Sequence, residues 1–345
     1  MKNPHFDSLE FSLGLYGQTP QELCFKAKNA KQALQWQKLL RSRLTRLMGG
    51  FPASKVPLQA RVLASKNMGS YTKETVLFET QAHLTAYGYF LKPKGFRSPG
   101  PSVVCLPGHG RGVDSIVGQD EHGRYRAFGQ WGEYQADFAL QCVSQGLAVF
   151  ALEQLGFGYR RDPAAMGRGP AGSSCQPASG SALLLGQTMM AWRVYDLIRT
   201  VDYLLTRPEV DKKRIGVMGI SGGGATALFG AALDTRIRLA MVSGYFNTFR
   251  DSIFSLSHCM DNYVPGLLRV AEMPDIAGLI APRALFVESG SKDDIFPVAA
   301  TQAAYKQTKK IFQRLGADSR LGMELFPEEH SFWGKQSFPF IKKNL

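Results

Sequence analysis

Residues 219–223, Gly-Ile-Ser-Gly-Gly, match the pattern G-x-S-x-G, in which a serine lies on a sharp turn between a strand and a helix. The flanking residues fit such a turn: 214–218 are typical of a buried strand, and the small residues of 224–233 are typical of a closely packed helix. A Cβ atom at Gly219 or Gly223 would collide with neighbouring backbone. Glycine makes up 36 of the 345 residues, so an ordinary glycine-rich turn is the alternative. The context favours a turn that exposes the Ser221 hydroxyl as a nucleophile.

A serine hydroxyl is a weak nucleophile unless a base removes its proton, so this hypothesis requires a histidine later in the chain. Of the six histidines, His258 and His330 follow Ser221. His330 comes after a predicted strand at residues 321–326, on the loop where a general base is expected. His258 lies on another loop, which is the wrong position for the base.

The carboxylate that orients this histidine is expected one strand earlier. Asp293 and Asp294 follow the predicted strand at residues 283–288 and precede a helix. Either carboxylate could orient the imidazole of His330 and stabilise it when it is charged. A helix N-cap is the other role open to one of them. We assign the orienting role to Asp293 and keep Asp294 as the alternative.

The oxyanion that forms when a nucleophile attacks a carbonyl needs two backbone N–H donors. The first is expected from Gly222, the residue after the nucleophile. The second is expected from the loop after an earlier strand, residues 102–106, which continues as Pro-Gly-His-Gly at residues 107–110. The sequence therefore predicts the backbone N–H of His109 as the second donor, so that its side chain is not the base.

These residues together resemble the α/β-hydrolase superfamily, and more closely its dienelactone hydrolase-like and acetyl xylan esterase-like (cephalosporin deacetylase-like) members. The resemblance covers about residues 85–345 and rests on Pro-Gly-His-Gly (107–110), Glu-Gln-Leu-Gly-Phe-Gly (153–158), Arg-Ile-Gly-Val-Met-Gly-Ile-Ser-Gly-Gly-Gly (214–224), Gly-Ser-Lys-Asp-Asp-Ile-Phe-Pro (290–297) and His-Ser-Phe-Trp-Gly (330–334). In that family the aspartate falls three residues after the glycine and four before the proline, which selects Asp293. Two positions depart from the family pattern: Pro107 replaces a histidine, and Glu153-Gln154 replace the aspartate of many members.

The resemblance implies a cofactor-independent serine hydrolase that cleaves carboxylic esters, with a small acyl group such as acetyl. Ser221 would attack the carbonyl, His330 would act as general base, and Asp293 would orient it. One alternative is a serine peptidase of prolyl-oligopeptidase type, but the chain before the hydrolase region is too short for the β-propeller of those enzymes. Another is a hydrolase-fold binding protein without turnover, which the intact set of three residues argues against.

The pattern of apolar residues predicts an α/β fold that would position these side chains. After Pro101, short apolar runs alternate with helical segments, which is typical of βαβ units around a mainly parallel, twisted sheet with helices on both faces. The predicted strands of this part are residues 102–106, 146–152, 214–218, 237–242, 283–288 and 321–326. Residues 75–79 and 84–91 are predicted to be antiparallel strands that precede them. Active sites on such sheets lie at the carboxyl ends of the strands, where the candidate catalytic residues fall.

The chain is predicted to consist of a helical extension, residues 1–60, and a catalytic domain, residues 61–345. In the extension, Thr-Pro-Gln-Glu at residues 19–22 predicts a capping box with proline at the first helical position. The helix that begins there is predicted to end at residues 49–50, which are both glycine.

Two long insertions, residues 156–181 and 247–275, interrupt the alternation of strands and helices and are predicted to be lids or walls over the pocket. Disorder is the alternative for the first of them. The second carries His258 and Tyr263, our candidates for substrate binding. Ordinary packing is the alternative for His258.

No cofactor and no metal are predicted. Residues 167–172 formally match G-x-G-x-x-G, but they follow no strand and contain a proline, which argues against dinucleotide binding. The chain has no P-loop, no H-E-x-x-H and no Cys/His spacing typical of metal sites. Its five cysteines are odd in number and form no C-x-x-C pair, so no disulfide framework is predicted.

The 41 Lys and Arg residues outnumber the 28 Asp and Glu residues, and the net charge of +13 raises nucleic acid as a partner. The excess is spread along the chain, and its densest clusters, at residues 41–46 and 309–314, fit solvated faces of helices. We therefore expect a small-molecule ester substrate and no nucleic acid, and leave homo-oligomer formation open. The N-terminus lacks the apolar region of a signal peptide and no apolar run is long enough to span a membrane, so a cytoplasmic protein is expected.

Overall fold

A nine-stranded sheet runs through the protein, whose residues 6–345 are described by a computed structural model. Residues 1–5, which begin the predicted helical extension and belong to the stretch on which the signal-peptide prediction rests, lie outside the described residues. The strands are β1 Arg61–Asn67, β2 Tyr71–Gln81, β3 Leu84–Pro93, β4 Gly100–Leu106, β5 Ala148–Leu152, β6 Val210–Ile220, β7 Leu239–Ser243, β8 Ala284–Gly290 and β9 Leu321–Phe326. Their spatial order is β1-β2-β3-β5-β4-β6-β7-β8-β9.

Strand direction follows the hydrophobic pattern. Neighbouring strands from β4 to β9 are parallel, whereas β1, β2 and β3 pair antiparallel and β3 also meets β5 antiparallel. Strands β5, β7 and β8 are buried along their whole length, as expected for parallel strands that helices cover on both faces. The outer strand β1 is exposed at every residue. The predicted parallel sheet with antiparallel N-terminal strands is confirmed.

Helices cover both faces of the sheet, as predicted. The helices are α1 Ser8–Gln18, α2 Ala30–Leu47, α3 Phe138–Ser144, α4 Pro163–Met166, α5 Cys175–Leu184, α6 Met189–Leu204, α7 Gly222–Leu233, α8 Met273–Gly278, α9 Val298–Arg314 and α10 Ser337–Asn344. Leu40, Val194 and Leu228, on α2, α6 and α7, belong to the larger apolar core, and Phe138 and Ile341, on α3 and α10, belong to the core on the other face. The fold is that of the α/β-hydrolases.

The capping box predicted at residues 19–22 is wrong. That segment is not helical, and α2 begins at Ala30 with Asn29 as its N-cap. The backbone N–H groups of Glu22 and Leu23 instead donate to the carbonyl oxygens of Arg269 and Val270, at 3.1 and 2.8 Å. Tertiary pairing with the second insertion therefore replaces the local cap.

The predicted end of this helix agrees with the structure. Helix α2 ends at Leu47, and Gly49 and Gly50 follow with φ of +96° and +81°. Positive φ values of this kind are accessible to glycine at little cost.

The basic cluster at residues 41–46 is not simply a solvated face. The guanidinium group of Arg41 donates to the carbonyl oxygens of Ala232 and Leu279, at 2.9 and 2.5 Å. Arg43 forms an exposed ion pair with Glu22 at 3.2 Å. Arg41 thus ties α2 to α7 and to the end of α8.

Candidate active site

Ser221 lies at the turn between β6 and α7, with φ of +55° and ψ of −124°. Few residues other than glycine adopt a positive φ, so this backbone is strained. The two nearby glycines permit it: a Cβ on Gly219 would lie 2.2 Å from the carbonyl oxygen of Gly223, and one on Gly223 would lie 2.0 Å from that of Leu106. The turn has the conformation predicted from residues 219–223.

Two backbone N–H groups near this turn have no hydrogen-bond acceptor among residues 6–345. Within residues 6–345, neither the N–H of Gly222 nor that of His109 donates a hydrogen bond to another protein atom. The loop that carries His109 lies directly against Ser221, because a Cβ on Gly108 would be 3.1 Å from the serine Cβ. The two predicted oxyanion donors therefore belong to the serine turn itself and to a loop packed against it, and their role in binding an oxyanion stays a prediction.

Three side chains from two other segments hold the loop of residues 107–110 in position. The buried Gln135 accepts a hydrogen bond from the N–H of Gly108 at 2.8 Å. The buried Gln154 donates to the carbonyl oxygen of Pro107 at 2.6 Å, and the hydroxyl of Tyr134 donates to that of His109 at 2.5 Å. These bonds anchor the loop despite the proline, and one of them comes from Gln154, which lies where the sequence departs from the family pattern.

His330 and Asp293 form a hydrogen-bonded pair at the ends of β8 and β9. The Nδ1 atom of His330 lies 2.7 Å from Oδ2 of Asp293. The other oxygen of this buried carboxylate accepts hydrogen bonds from the N–H groups of Ile295 and Phe296, both at 3.0 Å. Asp294 is exposed. The structure thus pairs His330 with Asp293 rather than with its neighbour.

Two aromatic rings enclose the imidazole of His330. Tyr134 and Phe296 stack against it, each with ring centroids 5.8 Å away. The ring also contacts Gly244, where a Cβ would lie 2.8 Å from Cε1 of the imidazole. Gly244 directly follows Ser243, whose carbonyl oxygen accepts the N–H of Ser221 at 3.0 Å. The serine turn and the histidine therefore meet across the end of β7.

No direct hydrogen bond joins the Ser221 hydroxyl to His330 in the part of the chain that the structure describes. The structure brings His330 together with Asp293, and Ser221 together with the free N–H groups. Hydrogen bonds between catalytic groups are often long in unliganded enzymes and tighten when substrate binds.

Glu288, which no sequence motif indicated, holds the loop that carries His330 in place. It is fully buried at the end of β8 and accepts hydrogen bonds from the N–H groups of Trp333 and Gly334, at 2.9 and 3.0 Å. Burial raises the pKa of this carboxyl to about 7, against the lowering effect of those two hydrogen bonds. A charged residue at the end of a buried apolar strand was the only signal available in the sequence.

The two substrate-binding candidates of the second insertion lie in different surroundings. His258 is half-buried against Phe296, with ring centroids 5.6 Å apart. Burial lowers the pKa of His258, and the nearby imidazoles of His109 and His330 lower it further. His258 and His330 thus have the ring of Phe296 as a common neighbour. Tyr263 is 40% exposed and its hydroxyl donates to the carbonyl oxygen of Ile253 at 3.3 Å, within its own insertion. Substrate contact remains a prediction for both residues.

The architecture and the serine turn together define an α/β-hydrolase. The chain belongs to the Abhydrolase family, whose profile matches residues 17–312. A curated relative is the protein named "Putative hydrolase YtaP" of Bacillus subtilis (strain 168), which is 28% identical over 80% of this chain and 88% of its own length.

Two solved structures share the fold at low identity. A protein described as "a putative acetyl xylan esterase" from Bacteroides fragilis NCTC 9343 superposes with a TM-score of 0.83 at 17% identity, covering 99% of this chain and 95% of its own. The glucuronoyl esterase from Solibacter usitatus superposes with a TM-score of 0.70 at 14% identity, covering 94% and 97%. Within residues 6–345, no helix is long and apolar enough to cross a membrane.

Proposed function

We propose that this protein is a serine esterase whose catalytic residues are Ser221, His330 and Asp293. The observation that carries the proposal is the 2.7 Å hydrogen bond between His330 and Asp293 beside a serine held at a positive φ. An ionised aspartate can only accept a hydrogen bond, so Nδ1 of the imidazole carries the proton and Nε2 is left as the base. This is the arrangement that a serine nucleophile requires.

The reaction follows from this arrangement. Nε2 of His330 takes the proton of the Ser221 hydroxyl as its oxygen attacks the ester carbonyl. The N–H groups of Gly222 and His109 bind the oxyanion, and each such donor contributes about 10²- to 10³-fold to turnover. His330 then protonates the leaving alcohol, and water hydrolyses the acyl-enzyme by the same steps. Asp293 stabilises the charged imidazole throughout.

For the substrate we propose a carboxylic ester with a short acyl group, acetyl in the first instance. The resemblance to acetyl xylan esterase-like sequences supports this choice, as does the name of the Bacteroides fragilis protein that shares the fold. The second structural relative is named for glucuronoyl esters, in which the sugar supplies the acid rather than the alcohol. Acetylated xylan oligosaccharides and an alkyl glucuronate ester are therefore the two carbohydrate substrates to compare.

The experiment measures hydrolysis of p-nitrophenyl acetate, butyrate and octanoate by the wild type and by Ser221→Ala. We expect the acetate to react fastest and the variant to lose at least about 10³-fold in kcat. The control is Ser319→Ala, at an exposed serine remote in sequence, which should retain wild-type rates. Phenylmethylsulfonyl fluoride should modify Ser221 in the wild type, as read by peptide mass spectrometry.

Two results would contradict the proposal. Equal rates for the wild type and Ser221→Ala would exclude the serine mechanism. Faster cleavage of an aminoacyl-p-nitroanilide than of the esters would favour a peptidase instead.

A further inference from the structure

Four side chains of types that bind metals meet beside the loop of the proposed oxyanion donor. The Nε2 atom of His109 lies 3.8 Å from Sγ of Cys175 and 3.9 Å from a carboxylate oxygen of Asp261. With Sγ of Cys259, these atoms all lie within 4.8 Å of one another. Cys175 and Asp261 are buried, and the other two residues are partly exposed. The mechanism proposed above uses none of these four side chains.

We propose that His109, Cys175, Cys259 and Asp261 form a tetrahedral zinc site. Bond lengths of about 2.3 Å to sulfur and 2.0 Å to nitrogen or oxygen place the ligand atoms of such a site about 3.3–3.8 Å apart. The two contacts of His109 already lie close to that range, and every pair is within about 1.5 Å of it. Two sulfur ligands and an imidazole favour zinc over magnesium or calcium, which prefer oxygen ligands.

The buried Arg193 balances the charge of this ligand set. Its guanidinium group forms an ion pair with Asp261 and donates to Sγ of Cys175 at 3.1 Å. The carbonyl oxygen of Leu155 and the ring of Phe157 hold it there. Two thiolates and one carboxylate carry three negative charges, which Zn²⁺ and this arginine neutralise together. A buried ion cluster needs such compensation to be stable.

A metal at this position would join three segments that are far apart in the sequence. His109 lies on the loop after β4, Cys175 begins α5 in the first insertion, and Cys259 and Asp261 lie in the second insertion. One ion would therefore tie both insertions to the loop that carries the proposed oxyanion donor. Its expected role is to stabilise the folded enzyme and fix this loop.

The test is a zinc titration of reduced, chelator-treated protein in competition with a chromogenic chelator. We expect one zinc per chain, an increase in Tm on binding, and a Co²⁺ derivative with the absorption bands of tetrahedral thiolate coordination. Cys175→Ser and Cys259→Ser should each weaken zinc binding at least about 10-fold. The matched control is Cys24→Ser, at a partly buried free cysteine outside the cluster, which should bind zinc as the wild type does.

Three outcomes would overturn the zinc site: no stoichiometric binding, equal binding by the two cluster variants and the wild type, or a Cys175–Cys259 disulfide in zinc-free protein as isolated. The Cys259→Ser variant changes the more exposed cysteine and keeps the test open if Cys175→Ser does not fold. The same titration on Ser221→Ala should again give one zinc, so failure of the esterase proposal would not be mistaken for failure of this one.

Discussion

Backbone groups of its own loop hold Asp293 in place, in addition to its contact with His330. One of its oxygens accepts two backbone N–H groups, from Ile295 and Phe296, and this leaves the other oxygen to bond the imidazole. Asp294 is next to it in the sequence, but it faces solvent and makes no such contacts with the histidine. Asp293 and Asp294 differ in their contacts because the turn buries only the carboxylate of Asp293.

Asp293→Asn should keep the fold and reduce kcat by about 10⁴-fold, because an amide NH₂ facing Nδ1 favours the wrong imidazole tautomer. The matched control is Asp294→Asn, which removes the same charge at the exposed neighbour and should change kcat less than about 2-fold. Both variants are compared by kcat on p-nitrophenyl acetate and by Tm. Similar losses in the two variants would contradict the assignment of Asp293.

Tyr134→Phe should lower kcat more than it changes KM, because its hydroxyl donates to the carbonyl oxygen of His109 and so positions the proposed oxyanion donor. We expect a decrease in kcat of about 10-fold, less than the loss of an oxyanion donor itself. Tyr305→Phe is the control, since that hydroxyl also donates to a backbone carbonyl, that of Leu321 at 3.4 Å. An unchanged kcat in Tyr134→Phe would show that the loop is held without this bond.

The turn between β6 and α7 depends on the close approach of three backbone segments. The strand end at Gly219, the helix start at Gly223 and the end of β4 at Leu106 leave no space for a Cβ atom. The strained φ of Ser221 persists because this packing leaves the turn no other path. The sequence pattern was informative here because the constraint is local.

Gly223→Ala should destabilise the protein by about 1–3 kcal/mol or more and abolish esterase activity, since the added methyl group would lie 2.0 Å from the carbonyl oxygen of Leu106. Gly180→Ala is the matched control: it lies in helix α5 with no atom within 4 Å of the new Cβ. That variant should be as stable as the wild type, or slightly more stable. Urea unfolding and ester hydrolysis measure both effects, and a fully active Gly223→Ala would refute the steric argument.

The sequence allowed the strands and the serine turn to be predicted because their signals are short-range. Apolar runs mark the parallel strands, and the glycines around Ser221 mark the turn. The start of α2 could not be predicted, because Glu22 and Leu23 pair with Arg269 and Val270 of a distant segment. The support that Tyr134 gives to the loop of His109 was equally hidden, since no spacing relates the two residues.

The cluster around His109 could not be predicted from the sequence for the same reason, because its residues come from distant segments. Cys175, Cys259 and Asp261 reach it from two separate insertions, so their spacing resembles no metal-binding motif. Local spacing predicted no metal, whereas three-dimensional proximity brings the four ligand types together. Sites that a chain assembles from distant insertions become visible only with the fold.

Several buried carboxyl groups make the folding stability of the protein depend on pH. Glu288 is fully buried, and its pKa rises from the ordinary 4.5 to about 7 mainly through burial. Burial also raises the pKa of Glu153 to about 8 and that of Asp275 to about 6. The folded protein therefore retains protons that the unfolded chain releases, and folding stability falls as pH rises through this range.

Glu288→Gln isolates the contribution of Glu288 to the pH dependence of folding stability, because glutamine has the shape of the neutral acid and does not titrate. The pKa of the folded carboxyl lies above its unfolded value, so its contribution is fully present below about pH 4.5 and is lost as pH rises toward 7. Between pH 5 and 7.5, unfolding free energy should therefore decrease more steeply in the wild type than in the variant. The difference over that range is expected to be up to roughly 3 kcal/mol.

Glu121→Gln, at an exposed glutamate, should follow the wild-type pH dependence. Parallel curves for the wild type and Glu288→Gln would mean that Glu288 is already ionised in the folded protein, held by the N–H groups of Trp333 and Gly334.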